Sequence, residues 1–151
     1  MKKYILLCLF GLFLVGCEKV DEMEKGKYKP GMYFGYHATE GERANVATAV
    51  VFVDENGFIK DVFLDTTYMK DGVPHTKQAL GEDYAMRVAS PVEREWFEQA
   101  DDFAAEIVKK QDLGFVNWVD PDETTIDSVS GVTMQVDDLY KAVTNALSEA
   151  K

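Results

Sequence analysis

The sequence has few residues suited to thiol, metal or nucleophilic chemistry. Its 151 residues include two cysteines, Cys8 and Cys17, and two histidines. Cys8 lies in an apolar leader that we expect to be removed, so one thiol would remain. A single thiol excludes an internal disulfide, a CxxC redox pair, an iron–sulfur cluster and a CxxCH haem site. No metal-ligand spacing or catalytic triad stands out, so redox chemistry here would require a bound cofactor that needs no thiol.

Basic residues are also scarce. The chain carries 16 lysines and arginines against 27 aspartates and glutamates, and its formal net charge is −11. Nucleic-acid binding depends on many Lys and Arg contacts to phosphate, so nucleic acid is not an expected partner. Such a surface would instead favour brief encounters with basic proteins.

The N-terminus lacks an apolar run long enough to cross a membrane. Lys2 and Lys3 precede an apolar run over residues 4–15, shorter than the roughly 20 residues that a spanning helix needs. This pattern predicts a signal peptide over residues 1–16. The ending "LVGC" resembles the lipobox of bacterial lipoproteins, which implies that Cys17 is the lipidated first residue of the mature chain. The alternative is an ordinary secreted protein with a chance cysteine at the junction.

The lipobox resemblance implies a cell-membrane location on the extracytoplasmic face. Residues 17–27 are charged, without apolar periodicity, and are expected to form the lipid anchor and a solvated tether. Several acyl chains on one cysteine would hold the protein on the membrane, since each buried methylene contributes about 0.8 kcal/mol. Residues 28–151 then form one domain.

The first half of the domain is rich in strand signals. Residues 31–37 read as a strand, and two β-branched or aromatic runs flank Asn56-Gly57, a pair typical of hairpin turns. Residues 65–81 show turn residues and little periodicity, so we expect a long loop there, with His75 and Lys77 exposed on it.

Helix signals dominate the second half. Ser90, Pro91 and Glu93 form a capping-box pattern that predicts a helix from this point to about Gln111. Its expected buried face includes Val92 and Trp96, with Glu95 turned away. Further strands are expected over residues 115–119 and 124–129, and a final helix over residues 137–149. Strands first and helices later predict an α+β fold, a small antiparallel-rich sheet with a central hairpin, covered by two main helices.

A short segment, "DSVSGVT" over residues 127–133, raises the question of phosphate binding. Gly131 permits a tight turn, and we expect a helix to open just after it, with free backbone amides that could hold a phosphate. Thr133 adds a hydroxyl beside them. The competing interpretation is that Ser130 and Thr133 serve only as turn and capping residues.

The segment resembles the Asp-x-x-Ser-Gly-Ala-Thr signature of the FMN-binding domain, found in flavin-carrying subunits of Rnf-type and sodium-pumping complexes and in extracellular electron-transfer lipoproteins. The first strand, the hairpin, the segment "KQALGEDYAM", the helix "EWFEQADDFAAEIV" and the C-terminal segment occur in the order typical of that family. The resemblance implies that a flavin transferase, using FAD, links FMN to the Thr133 hydroxyl through a phosphodiester.

The resemblance also assigns a flavin site. One departure is Val132, where the family usually has alanine, and its bulk could hinder the transferase. The residues implied in cofactor binding belong to the signature, to the Leu-Gly loop and to candidate ring neighbours: Asp127, Ser130, Gly131, Val132, Thr133, Leu80, Gly81, Tyr84, Met86 and Trp96. For the ring neighbours, ordinary core packing is the alternative.

The function implied is that of a membrane-anchored electron carrier, without substrate turnover of its own and therefore not an enzyme. Its expected partners are the flavin transferase, redox proteins and the membrane. Two alternatives stay open, namely a non-covalent FMN binder and a lipid-anchored binding module that has kept the fold without the flavin.

Overall fold

A single antiparallel sheet organises the domain. The computed structural model describes residues 25–41 and 44–151, so the predictions for the signal peptide, Cys17 and most of the tether lie outside the described residues. Four strands follow one another in the order β1-β2-β3-β4. Their bounds are Gly31–Ala38 for β1, Val46–Val53 for β2, Ile59–Lys70 for β3 and Val73–Thr76 for β4. Together with three helices, this sheet confirms the predicted α+β fold.

The central hairpin joins β2 to β3 as the sequence predicts. Asp54 Oδ1 accepts hydrogen bonds from the amides of Asn56 at 3.0 Å and Phe58 at 2.9 Å, which closes the turn. Gly57 adopts φ +88°, a conformation that glycine reaches without steric cost. Beside this turn, where β2 ends and β3 begins, the pairing of the two strands shifts register between Phe52 and Val53, as in a β-bulge.

Two long helices cover one face of the sheet. They are α2, Trp96–Lys110, and α3, Asp137–Glu149, and they follow a single-turn helix α1, Lys77–Leu80, and a short 3₁₀ helix, Gly81–Tyr84. The bounds of α3 match the predicted final helix. The core is formed by the inward residues of β2 and β3 with the apolar faces of both helices. Each large apolar side chain buried there contributes roughly 1.5–3 kcal/mol.

Gly35 sets how closely α3 approaches the sheet. A Cβ at this position would lie 2.1 Å from the carbonyl oxygen of Ala142 and 2.4 Å from the amide nitrogen of Ala146. Only a residue without a side chain fits there, and the backbone of α3 therefore packs directly on β1. Asn145 Nδ2 adds a 2.8 Å hydrogen bond to the Tyr36 carbonyl.

The predicted loop over residues 65–81 is wrong. β3 continues to Lys70, β4 pairs back onto it, and α1 begins at Lys77. The turn at Asp71 and Gly72, both with positive φ, makes this a second hairpin. Its strands lack clear apolar alternation because β4 is a short edge strand with two exposed residues at its start. The sequence pattern therefore gave too weak a signal for strand pairing.

The predicted start of the first long helix is also wrong. Glu93 has φ +52°, which interrupts any helix from Pro91, and α2 begins at Trp96 instead. Glu98 Oε2 accepts a 2.7 Å hydrogen bond from the Glu95 amide, as in a capping box placed five residues later than expected. Val92 therefore lies outside the helix and is exposed. The two strands expected over residues 115–119 and 124–129 reduce to one isolated bridge between Trp118 and Ile126.

Candidate functional site

The segment that carries Thr133 is irregular backbone. We expected a helix to open just after Gly131, and this is wrong because α3 begins only at Asp137. The Val132 amide donates to the Val129 carbonyl at 3.3 Å, and the Val136 amide donates to the Thr124 carbonyl at 2.8 Å. These bonds fold residues 129–136 into a compact turn.

A buried glutamine holds this turn in place. Gln99 is fully buried on α2, and its Oε1 accepts hydrogen bonds from the Thr133 amide at 2.8 Å and the Met134 amide at 3.1 Å. Its Nε2 donates to Ser90 Oγ at 3.1 Å and to the Arg94 carbonyl at 3.3 Å. The amides that were expected to be free for a phosphate are therefore already satisfied, and this prediction is wrong. The turn is rigidly positioned instead.

Gly131 packs against an ion pair between Arg94, which lies just before α2, and Asp102 on α2. Its φ is +85°, and a Cβ there would lie 2.6 Å from Arg94 Nη1 and 3.2 Å from Asp102 Oδ2. Arg94 Nη1 and Asp102 Oδ2 form a salt bridge beneath the turn. The backbone conformation therefore favours glycine here, and a side chain would also displace the Arg94 guanidinium from its place against the turn.

The side chains of the turn alternate between solvent and core. Ser130 and Thr133 are exposed, whereas Val132 is buried, with 3% of its surface accessible. The extra methyl groups that valine has over alanine therefore lie in the core, away from the side on which Thr133 is accessible. Asp127 is exposed and its Oδ1 accepts a 3.2 Å hydrogen bond from Asn117 Nδ2.

The Thr133 hydroxyl is accessible but not activated. It donates a 3.3 Å hydrogen bond to Gln99 Oε1, an amide oxygen that is too weak a base to remove the proton. The bond orients the hydroxyl and leaves its oxygen lone pairs open to solvent. The arrangement suits an acceptor that another protein must activate, since this turn provides no general base of its own among the described residues.

A cleft of about 550 Å³ opens between the start of β2, the β3–β4 hairpin and the 3₁₀ helix. Its lining includes two tyrosines that pack edge to face, Tyr68 and Tyr84, with ring centroids 4.9 Å apart. Asn45 also lines the cleft, and its Oδ1 is buried without a hydrogen-bond partner in the described part of the chain. This volume and mixture of aromatic and polar groups fall within the range of small-molecule sites.

Lys77 lies at the inner side of this cleft. Its Nζ is 5.1 Å from the ring centroid of Tyr84 and 5.2 Å from that of Trp96, within range of cation–π attraction. Burial lowers the pKa of the Lys77 ammonium, and the negative charges of Asp138 and Asp65 partly oppose that shift. The expectation that Lys77 and His75 are exposed on a loop is wrong, because both are half-buried, Lys77 on α1 and His75 on β4.

Four other residues that were predicted to bind the flavin are not among the residues that line this cleft, namely Leu80, Gly81, Met86 and Trp96. Leu80 and Gly81 join α1 to the 3₁₀ helix, which ends at the cleft residue Tyr84. Met86 is half-buried, and its amide donates to Glu95 Oε2 at 2.9 Å. Trp96 is 3% exposed and belongs to the core, and its ring contacts the cleft residue Lys77.

The start of α2 connects the cleft to the Thr133 turn. Trp96 contacts Lys77 at the cleft, and Gln99, one helical turn later and about 4.5 Å along the axis, holds the Thr133 amide. The influence of Asp138 on Lys77 also places the cleft near the beginning of α3. The structure thus brings the predicted acceptor and an aromatic cleft to the same end of α2.

Sequence reasoning missed three polar residues at this end of the domain. Gln99 lies on the apolar face of α2, where a polar residue must find buried partners, and this position was the available signal. Glu95 was expected to point away, but it is 3% exposed and accepts hydrogen bonds from the Met86 and Arg87 amides. Asn45 gave no sequence signal, since its unpaired oxygen is a property of the folded chain.

Asp120 organises the turn that precedes the signature. Its carboxylate accepts hydrogen bonds from the hydroxyl of Thr125 at 2.6 Å, from the Thr125 amide and from the Thr124 amide and hydroxyl. These bonds, led by the Thr125 hydroxyl, hold the pKa of Asp120 far below its usual range. The run "DPDETT" is therefore an ordered turn that fixes Thr124, whose carbonyl in turn binds Val136.

Searches for metal sites, membrane spans and similar known proteins add nothing to the assignment of a function. Within residues 25–41 and 44–151, no cluster of three or more histidine, cysteine, aspartate or glutamate side chains is arranged to hold a metal ion. No helix in the described ranges has the length and apolar character needed to span a membrane. Comparisons of the chain with protein-family models, with curated proteins and with solved structures each found no match.

Proposed function

We propose that this protein is a lipid-anchored electron carrier that bears FMN covalently on the hydroxyl of Thr133. The observation that carries the proposal is the Thr133 turn itself, in which the buried Gln99 fixes the backbone while the threonine hydroxyl stays exposed. An acceptor presented to a separate transferase needs both properties. A fixed backbone defines where the hydroxyl is, and exposure lets the transferase reach it.

The nearby cleft supplies groups that fit a flavin ring. Among the residues that the structure describes, Asn45 Oδ1 is buried without a hydrogen-bond partner, and the imide N–H of an isoalloxazine is a hydrogen-bond donor of the kind that would satisfy it. Tyr68 and Tyr84 offer aromatic surface, and Lys77 offers a positive charge beside it. Bound there, FMN would supply reversible electron transfer, which none of the protein's own side chains provides.

The chain's own residues then have limited roles. Gln99 positions the Thr133 turn, Gly131 lets it pack on the Arg94–Asp102 pair, and the Lys77 ammonium would stabilise negative charge on a flavin ring held in the cleft. Removal of the hydroxyl proton falls to the transferase, because the only group that the Thr133 hydroxyl contacts in the described chain is an amide oxygen. The anchor at Cys17 would keep the carrier at the membrane, and its acidic surface would favour basic redox partners.

The test is the mass of the mature protein made together with a flavin transferase. We expect an increase equal to one FMN less one water, and yellow protein whose flavin survives acid precipitation. Thr133→Ala should abolish the increase without a change in fold, because the side chain is exposed and makes one hydrogen bond of 3.3 Å. Thr144→Ala is the matched control, since it removes an exposed threonine hydroxyl with one hydrogen bond, on α3 outside the signature, and should leave attachment unchanged.

Other outcomes distinguish the alternatives. Flavin that is lost on precipitation, at one FMN per chain, would replace the covalent carrier by a non-covalent FMN binder. Colourless wild-type protein in the presence of an active transferase would favour a binding module without flavin. Covalent flavin that persists in Thr133→Ala would refute the acceptor assignment.

A further inference from the structure

The face of the sheet that the helices leave open carries a cluster of large apolar side chains. We call it the outer patch, and it consists of Met32, Phe34, Tyr36, Phe52 and Phe63. Strand register places these residues together, because Met32 pairs with Phe52, and Val50 pairs with both Phe34 and Phe63. Each of the five side chains is between 43% and 73% exposed.

The pattern of the strands indicates a sheet that is covered on both faces. In an antiparallel sheet with one solvent-exposed face, apolar and polar residues normally alternate along each strand. In β2 the inward residues Ala47, Ala49, Val51 and Val53 are buried, yet the outward positions include Val50 and Phe52. β1 presents three large apolar residues outward, and Phe34 and Tyr36 stack there with ring centroids 6.3 Å apart. In the described ranges the two long helices contact the sheet from the opposite face, and the five side chains of the outer patch remain exposed.

Charge is nearly absent from the outer patch. On the outward positions of β1, β2 and β3, the charged residues in the described strands are Asp61 at one end and Asp65 at the other, and the exposed Lys60 lies at the register shift beside Asp61. Asp65 is largely buried, and its Oδ1 accepts hydrogen bonds from the amides of Thr66 and Gln78. The excess of acidic residues therefore lies mainly elsewhere, on the helices and the turns beside them.

We propose that the outer patch is the interface of a symmetric homodimer, in which two sheets pack face to face. Five large side chains about half exposed offer roughly 500 Å² of apolar surface, and the half-buried Val50 and the strand rims extend it toward the about 800 Å² per partner of a stable interface. A patch whose large side chains are all apolar offers little to select a different protein, whereas apolar interface cores are typical of homodimers. The chain's net charge of −11 disfavours an anionic lipid surface as the occupant.

The dimer goes beyond the proposed electron carrier and does not depend on it. The outer patch lies on the sheet face opposite α2 and α3, whereas the Thr133 turn is held by α2. Two copies joined through the open faces of their sheets would leave both Thr133 turns accessible. Each copy would also keep its own cleft, so the state of the flavin and the state of association can be measured separately.

The test is the mass of the intact processed chain by sedimentation equilibrium in a density-matched detergent. We expect twice the mass of one chain, falling to one on dilution. The variant that combines Phe34→Asp and Phe63→Asp should associate at least about 100-fold more weakly, because each aspartate would be buried in an apolar contact. Val88→Asp is the matched control, since Val88 is 96% exposed outside the outer patch and should leave the dimer intact.

Circular dichroism shows whether each variant is folded. If the aspartate variant does not fold, Met32→Lys combined with Tyr36→Lys tests the same face at two more exposed positions of β1. A wild-type chain that is monomeric at every concentration overturns the proposal, whether or not it binds vesicles or another protein. A folded double variant that still dimerises overturns it too, as does loss of the dimer in Val88→Asp.

Discussion

Replacing Gln99 by leucine should loosen the Thr133 turn and destabilise the whole domain. Leucine has a similar volume, so apolar packing on α2 is largely kept while every hydrogen bond of the amide is lost. Those bonds join Gln99 to Thr133 and Met134 on one side and to Ser90 and Arg94 on the other. The perturbation therefore isolates hydrogen bonding at a fully buried position.

The expected loss of stability follows from which partners stay buried. The Met134 amide lies in a buried residue and would lose its partner at a cost of about 1–2 kcal/mol, while the part-exposed Thr133 amide would cost about 1 kcal/mol because water can replace the bond. The Ser90 hydroxyl and the Arg94 carbonyl together add about 0.5–1 kcal/mol. The total is about 3 kcal/mol, which corresponds to a fall in Tm of roughly 12 °C for a domain of this size.

Two measurements check this prediction. Thermal unfolding followed by circular dichroism gives the change in Tm, and hydrogen exchange should show faster exchange at the amides of Thr133 and Met134. Gln135→Leu is the matched control, because Gln135 is exposed in the same turn and its side chain makes one hydrogen bond of 3.5 Å, to Thr124. A fall in Tm of less than about 3 °C, with both amides still protected, would refute the role given to Gln99.

Three further perturbations test the packing and the charges. Gly35→Ala should destabilise by about 3 kcal/mol or more, because its Cβ would lie 2.1 Å from the Ala142 carbonyl, while urea unfolding of Gly114→Ala should show a change of less than about 1 kcal/mol. Asp120→Asn should reduce stability at neutral pH. Because the folded pKa of Asp120 is lowered, the advantage of the wild type should shrink as pH falls below about 4, and a constant urea-midpoint difference would contradict this. Lys77→Met should remove a rise in stability as the pH increases toward 10.5, the ordinary lysine pKa, because the folded pKa of Lys77 is lowered and deprotonation then favours the folded state; equal pH slopes would contradict it.

The sequence predicted the elements that have strong local signals. The β2–β3 hairpin follows from an Asn-Gly turn between apolar runs, and α3 follows from apolar residues at helical spacing. The start of α2 was misplaced because two capping patterns overlap, one at Ser90 and one at Glu95. The positive φ of Glu93 decided between them, and a backbone angle of this kind is not encoded in a short motif.

The candidate site likewise has some features that local sequence indicates and others that depend on contacts between distant parts of the chain. Local sequence placed the Thr133 hydroxyl beside a glycine turn, because Ser, Gly and Thr in one short segment favour a turn whatever surrounds them. It could not show that a glutamine on α2, 34 residues earlier, holds that turn. It also could not show that burial places Lys77 against Tyr84 and Trp96.

By itself, the sequence determined the fold class, the central hairpin and the last helix, because these depend on periodicity and turn residues within a few positions of one another. The tertiary structure alone decided that Gln99 binds the amides of the Thr133 turn, that Asn45 Oδ1 has no partner among the described residues and that one face of the sheet stays open. Those properties depend on contacts between residues far apart in the chain, and such contacts exist only once the helices have packed on the sheet.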